Sequence, residues 1–513
     1  MSGAEGWTRR SVIAGGLALT ATPVLARPAA DVVAPSGRFV GTVEAGVLAF
    51  RGIRYGRAAR FQAPVPEPPG RAPVMARNFG PVAPQAGSRY QPQSEDCLFL
   101  NIWTTDARPT AGKPVMVYIH GGAYSSGSST DPLNEGGRLA AFGDVVVVTI
   151  NHRLNALGYL YLARLDPQCA DSGNAGQLDL VLALAWLRDN IAAFGGDPHN
   201  IMLFGQSGGG AKIATLMGMP AAHGLFHRVA TMSGQQVTAS GPLNATARTR
   251  AFLAQLRVEP TNLAPLLTMP VERLLEGLAA TDPVLGGSVY FGPVLDMKWL
   301  SRHPFWPDAN PQSNAIPMLL GNTRDEARAF LPPGLSRLAG LSFDNLADRM
   351  APELRVDISP EWVVAQFRAR YPAITPHELL WAAVTAGRSW RGQVIEAEQR
   401  AAANAPTWVY QCNFADPARP DQGALHTMDI PLVFGTTAHA SSPSGDSAAA
   451  RATSAAMMRA FTGFARTGSL PWPQYRPDQR QTMIFDAVSR TEADPRQWER
   501  QLFARVPYIQ PGS

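Results

Sequence analysis

From Asn200 the chain reads NIMLFGQSGGGAKIATLMGM. An apolar run suited to a buried strand breaks at Gly205-Gln206-Ser207-Gly208-Gly209, and a stretch with helical spacing follows at once. Glycines on both sides of one serine fit a strand-to-helix turn too tight for large side chains. Such a turn exposes the serine hydroxyl, and the helix N-terminus behind it favours developing negative charge. Alone, Gly-x-Ser-x-Gly also fits a plain glycine-rich turn. With a strand before it and a helix after it, the pattern has the context of a nucleophile elbow, with Ser207 at its tip.

The flanking sequence repeats that alternation. Apolar runs start at Cys97 (CLFLNIW), Pro114 (PVMVYIH), Asp144 (DVVVVTI), Arg228 (RVATMSG), Ile316 (IPMLLGN) and Thr407 (TWVYQCNF). Between them, QLDLVLALAWLRDNIAAF from Gln177 has helical periodicity and is stopped by Gly195-Gly196. Earlier, GRFVGTVEAGVLAFRGIRYG from Gly37 reads as short antiparallel strands. The pattern predicts an α/β fold with a mostly parallel central sheet and helices on both faces. The helix-rich parts at about residues 239–296 and 342–406 read as cap insertions. With no internal repeat and no low-complexity linker, residues 27–513 are expected to form one domain.

A second glycine-rich segment, HGGAYSSGS from His120, follows the strand-like PVMVYI. An ester under attack places negative charge on its carbonyl oxygen. Backbone amides aimed at that point stabilise it, and loss of one donor typically costs about 100- to 1000-fold in rate. Glycines let the backbone approach and turn its amides inward. The segment therefore reads as an oxyanion hole, with the amides of Gly122, Ala123 and Gly208 as donors.

Composition narrows the classes. Hydrophobic residues make up 45% and charged residues 17%, the latter low against about 25% in ordinary domains. A formal charge of +5 over 513 residues, with no basic block, gives nucleic-acid binding little support. Three cysteines, Cys97, Cys169 and Cys412, cannot all pair within one chain, and none forms Cys-x-x-Cys. At the N-terminus, Arg9-Arg10, a weakly apolar run and Val24-Leu25-Ala26 fit a twin-arginine export signal over residues 1–26. No later segment reaches about 18 consecutive apolar residues, so no membrane span is expected in the mature chain.

Taken together, these motifs resemble a type-B carboxylesterase of the α/β-hydrolase fold, the group that includes the cholinesterases. The resemblance rests on SEDCLFLNIW from Ser94, FGGDPHNIMLFGQSGGGAK from Phe194, VEAGVLAFRGIRYG, NHRLNALGYL and GNAGQLDL, and it runs from about residue 39 to 464. It implies a triad whose acid and histidine lie further along. GNTRDEARAF matches the acid block and points to Glu326, with Asp325 as the bland rival; GALHTMDIPLVFG matches the histidine block and points to His426. Among nine histidines the sequence itself does not choose. His120 is expected to support the glycine loop, and His199, His223 and His227 to sit at the surface or in turns. The resemblance also implies that Ser233 lies near the triad, and that Glu95 with Arg60 and Arg153 with Asp179 pair to fix loops.

There are departures. Gln206 stands where many relatives carry glutamate, which argues against a choline-type substrate. Ala123 replaces the third loop glycine, and Ala83 stands where relatives often have cysteine, leaving Cys97 without that partner. The resulting expectation is an exported serine hydrolase of small carboxylic esters, working through an acyl-enzyme with no metal or organic cofactor. Tyr124, Tyr290, Phe291 and Phe434 are candidates to line its pocket. Amide, carbamate or thioester hydrolysis would use the same groups. A binding protein of this family that has lost its serine is the rival from another class.

Overall fold

A computed structural model describes Met1 and residues 30–510. The expected export signal over residues 1–26, Met1 apart, lies outside the described residues. Eleven strands build the main sheet: β1 (Thr42–Glu44), β2 (Val47–Arg54), β3 (Phe99–Thr104), β4 (Lys113–Ile119), β5 (Val146–Ile150), β6 (Gly196–Gln206), β7 (Arg228–Met232), β8 (Met318–Thr323), β9 (Thr407–Cys412), β10 (Gln481–Phe485) and β11 (Arg490–Ala493). Their spatial order is β11-β10-β9-β8-β7-β6-β4-β5-β3-β2-β1. From β10 to β5 every neighbour is parallel; the pairs β5–β3, β3–β2, β2–β1 and β10–β11 are antiparallel. The sheet is thus mostly parallel, as the alternation implied, with the short antiparallel strands expected after Gly37 at one edge.

β4, β5, β8 and β9 are buried at every position because both faces of the sheet are covered. Val115, Val117 and Ile119 of β4 join Ile201 and Leu203 of β6 on one face, while Met116, Tyr118, Met202 and Phe204 point to the other. The first face packs on α1 (Ala175–Asn190), through Leu180, Leu184 and Leu187, and on α2 (Gly208–Gly218), through Ile213, Leu216 and Met217. A short 3-10 turn, Ile191–Phe194, extends α1, and Gly195 ends it with φ 83°.

Between β7 and β8, α3 (Pro242–Leu256) carries Phe252, Leu253 and Leu256 into a cluster with Phe61 and Tyr124. After β8, α4 (Pro360–Arg370), α5 (Pro376–Val384) and α6 (Arg391–Ala402) follow, and a π-helical turn, Thr385–Trp390, joins the last two. Residues of α4 and α5 pack with Ala327 and Leu331. Both parts read as cap insertions contain helices. Further on, α7 (Asp429–Phe434) and α8 (Ala448–Thr467) close the second sheet face, with Met457, Phe461 and Phe464 against Phe204.

Cys97, Cys169 and Cys412 are buried and unpaired. The Arg153–Asp179 pair is almost fully buried, and it is bidentate: Nη2 reaches Oδ1 at 2.6 Å and Nε reaches Oδ2 at 2.9 Å. Arg153 also donates to the carbonyls of Ala59 and Gln62 at 3.1 and 2.9 Å, tying that loop to α1. Arg60 bonds Glu95 and the Leu266 and Met269 carbonyls, anchoring the same loop to the first cap segment. Removing one partner of a buried pair strands the other charge. Arg153→Met should lower stability by about 3–5 kcal/mol in urea titration. A loss under about 1 kcal/mol would show that water reaches Asp179.

Candidate active site

Ser207 lies between the end of β6 and the first residue of α2, with φ 56° and ψ −126°. That backbone conformation is strained for a side-chain-bearing residue and persists only where the surroundings enforce it. Its N–H donates to the Met232 carbonyl at 2.7 Å, and its own carbonyl accepts from Ala211 N at 3.1 Å. The flanking glycines are required by contact. A Cβ on Gly209 would stand 1.9 Å from the Ile119 carbonyl oxygen, and one on Gly208 would stand 2.1 Å from that of Ala123.

Glu326 follows β8 and is fully buried. Its Oε1 accepts from Ser233 Oγ at 2.6 Å, Thr323 N at 2.8 Å and Asn322 Nδ2 at 3.3 Å, and its Oε2 pairs with His426 Nδ1. Burial pushes the carboxyl upward, but the His426 charge and these donors outweigh it and hold Glu326 below the usual carboxylate range. His426 comes just before α7, and its ring lies 4.7 Å from the Phe330 ring. With Nδ1–H given to Glu326, Nε2 carries the lone pair. The Gln206 side-chain amide donates to it at 3.0 Å. Among the described residues no hydrogen bond joins Ser207 Oγ to His426; the Gln206 amide takes that place. The reason is local: Gln206 precedes the serine, and its longer side chain reaches the same lone pair.

The glycine loop passes beside this turn. Gly122 and Ala123 have φ of 87° and 53°. A Cβ on Gly121 would lie 3.2 Å from Ser207 Cβ, so loop and serine are in close apposition. His120 Nδ1–H donates to the Gly121 carbonyl at 2.9 Å, and the Gly122 carbonyl accepts from Ser125 N and Ser126 N at 3.1 and 3.0 Å. Burial, with the Lys212 charge nearby, pushes His120 down to about 3, so its ring is neutral. Asp325 points elsewhere: its Oδ2 accepts from Ala424 N at 2.9 Å. His199 and His223 are exposed, and His227 Nδ1 accepts from Ile201 N at 3.1 Å.

The four aromatic candidates occupy different places. Phe434 is fully buried on the second sheet face, with its ring 4.9 Å from Tyr118 and 5.4 Å from Phe204, because α7 turns it towards the core. Phe291 packs edge-on against Phe252 of α3 and is buried. Tyr124 is buried too, its hydroxyl donating to Gln236 Oε1 at 2.8 Å. Tyr290 is half-buried, with its ring 6.2 Å from that of Tyr124. Proximity in sequence to a motif said nothing about which face each ring occupies.

Three neighbours escaped the sequence reading. Phe330 packs tilted against His426; its place four residues after Glu326, one helical turn on, was the available signal. Lys212 is a fully buried lysine in an otherwise uncharged helix, in a chain with three lysines. Asp429, on the first turn of α7, accepts from Tyr410 OH at 2.8 Å while its Oδ1 is buried without a partner.

A serine on a strained strand-to-helix turn, a buried carboxylate–imidazole pair after later strands, and a mostly parallel sheet define an α/β-hydrolase. The comparisons narrow this. The profile of the Carboxylesterase family matches residues 29–502, and the chain belongs to that family. It is 32% identical over 492 residues to the para-nitrobenzyl esterase of Bacillus subtilis strain 168, covering 91% of this chain and 96% of that one. It is 31% identical to a probable N-octanoylanthranilate hydrolase of Rhodococcus erythropolis, covering 88% and 96%. A crystal structure of a Geobacillus stearothermophilus carboxylesterase superposes with a TM-score of 0.83 at 34% identity, covering 92% of this chain and all of that one. The protein is a carboxylic ester hydrolase.

Asp429 gives a prediction on pH. Burial raises its carboxyl to about 6, against about 3.9 when unfolded. The folded state therefore binds the proton more tightly, and that contribution to stability is full below pH ~4 and lost as pH rises through about 6. Asp429→Asn lacks this dependence. In urea titrations the stability of the wild type relative to the variant should fall between pH ~4 and ~6 and level off above. A flat difference would mean that Asp429 titrates normally.

Proposed function

We propose that the ester is cleaved by nucleophilic attack of Ser207 Oγ, with His426 as general base and Glu326 as its partner. The observation that carries this reading is the buried Glu326–His426 pair, whose free nitrogen faces the turn that bears the serine. As substrate enters, His426 Nε2 exchanges the Gln206 amide for the Ser207 hydroxyl and takes its proton; apo sites commonly tighten such contacts only on binding. Oγ bonds to the carbonyl carbon, and the oxygen, now negative, receives the amides of Gly122, Ala123 and Gly208. Collapse breaks the ester C–O bond, and imidazolium protonates the departing alcohol. Water, deprotonated by the same nitrogen, then attacks the acyl-enzyme; the Oγ–acyl bond breaks, imidazolium returns its proton to Ser207 Oγ, and the acid leaves. Glu326 stays ionised, orients the ring and offsets its transient charge. Ser233 holds that carboxylate through its hydroxyl.

The substrates in this reading are small esters, and a relative named para-nitrobenzyl esterase supports esters of aromatic alcohols as probes beside p-nitrophenyl esters. Amide, carbamate and thioester hydrolysis would use the same relay, and kcat/KM on matched ester and amide separates them. Residues 27–513 act as one domain, a reading supported by one sheet that draws strands from residues 42 to 493. The twin arginines and Val24-Leu25-Ala26 support export to the periplasm or beyond.

On short and medium p-nitrophenyl esters, Ser207→Ala should reduce kcat by about four to six orders of magnitude at unchanged stability. A fluorophosphonate should label only the parent. A variant that keeps a tenth of the activity would overturn the mechanism. Separately, Arg9→Lys with Arg10→Lys should leave the protein in the cytoplasm, whereas equal export of both forms would remove the twin-arginine assignment.

A further inference from the structure

Beneath the glycine loop sits a cation with no carboxylate beside it. Lys212 is fully buried, five positions after Ser207 in α2, and among the described residues no ion pair includes it. Its Nζ donates to the Ala123 carbonyl at 2.7 Å and to the His120 carbonyl at 3.3 Å, and it lies 5.3 Å from the centre of the Tyr124 ring. The titratable groups facing it are His120 and His152, whose rings are 4.7 Å apart and which burial keeps neutral. Burial pulls Lys212 itself down to about 7. An unpaired buried charge is costly to folding, and a methionine would occupy similar space without that cost.

The geometry of the loop suggests what the lysine does. A peptide unit is planar and trans, so holding its C=O aims its N–H the opposite way. The unit carrying the Gly122 amide is held at the Gly121 carbonyl by His120, and the unit carrying the Ala123 amide is held at the Gly122 carbonyl by Ser125 and Ser126. The units on either side of these two are held at the His120 and Ala123 carbonyls, and both go to Lys212. We propose that Lys212 is a positioning residue for ester cleavage: from below the loop it clamps the peptide units on either side of the two that carry the Gly122 and Ala123 amides, which fixes the loop so that these amides stay pointed at the oxyanion, and when protonated it sets a positive charge behind them. The inference rests on the oxyanion-hole reading above. It adds that the hole is set by a side chain on the same helix that follows the nucleophile, so serine and donors share one rigid support.

The test is Lys212→Met, which keeps length and apolar volume but removes charge and donors. With a p-nitrophenyl ester, kcat should fall about 10- to 100-fold while KM stays within about twofold. Affinity for an alkyl boronic acid, whose adduct with the serine is tetrahedral and anionic, should weaken by the same factor as kcat/KM. Lys212→Gln keeps amide donors without charge and should recover part of kcat. Thermal melting checks the fold of each; if the methionine form is unfolded, the glutamine form carries the same readouts. Wild-type kcat and boronate affinity in a folded variant, or a loss confined to KM, would overturn the proposal. Full activity in Ser207→Ala would instead overturn the reading of the site on which it depends.

Discussion

The site depends on the backbone of Ser207. A non-glycine residue at φ 56° carries local strain, and three contacts hold it there. Its amide is tied to the end of β7, its carbonyl to the next turn of α2, and the glycines beside it let β4 and the glycine loop approach within side-chain distance. Released from that turn, the serine would swing away from the imidazole and from the loop amides together. The central strands β4, β6 and β7, buried on both faces, make the support stiff enough to keep the conformation.

Around this turn the structure distributes buried charge unevenly. Glu326 has three donors on one oxygen and His426 on the other, and it is held ionised. Asp429 has one tyrosine hydroxyl, and burial raises it. The two carboxylates flank the same histidine region in different states because their hydrogen bonds differ, not their depth. A third, Glu396 on α6, is raised to about 8 by burial and accepts from Gln236 N at 2.7 Å. Gln236 in turn holds the Tyr124 hydroxyl, so the second cap segment reaches the glycine loop through one polar chain. Cap and loop are therefore mechanically linked, although they are far apart in sequence.

What could be read from sequence follows from what is local. The strand-to-helix turn at Ser207, the stop of α1 at Gly195 and the parallel sheet each rest on neighbours within a few positions, where period and glycine placement suffice. The acid and the histidine do not: Glu326 and His426 are 100 positions apart, and only family resemblance pointed to them. Which face a ring occupies is likewise not local. Phe434 is close in sequence to His426, and α7 carries it into the cluster with Tyr118 and Phe204.

The sequence by itself determined the class of fold, the strand-to-helix turn at Ser207 and the presence of a glycine-rich loop after β4. Those are properties of short segments, decided by sterics and periodicity. The tertiary structure alone decided that Gln206, not Ser207, occupies the histidine nitrogen at rest, that Phe330 backs the imidazole, and that Lys212 lies under the loop. Each depends on where separate elements bring side chains within a few ångströms, and hydrogen bonds at that range depend on packing that no local pattern encodes.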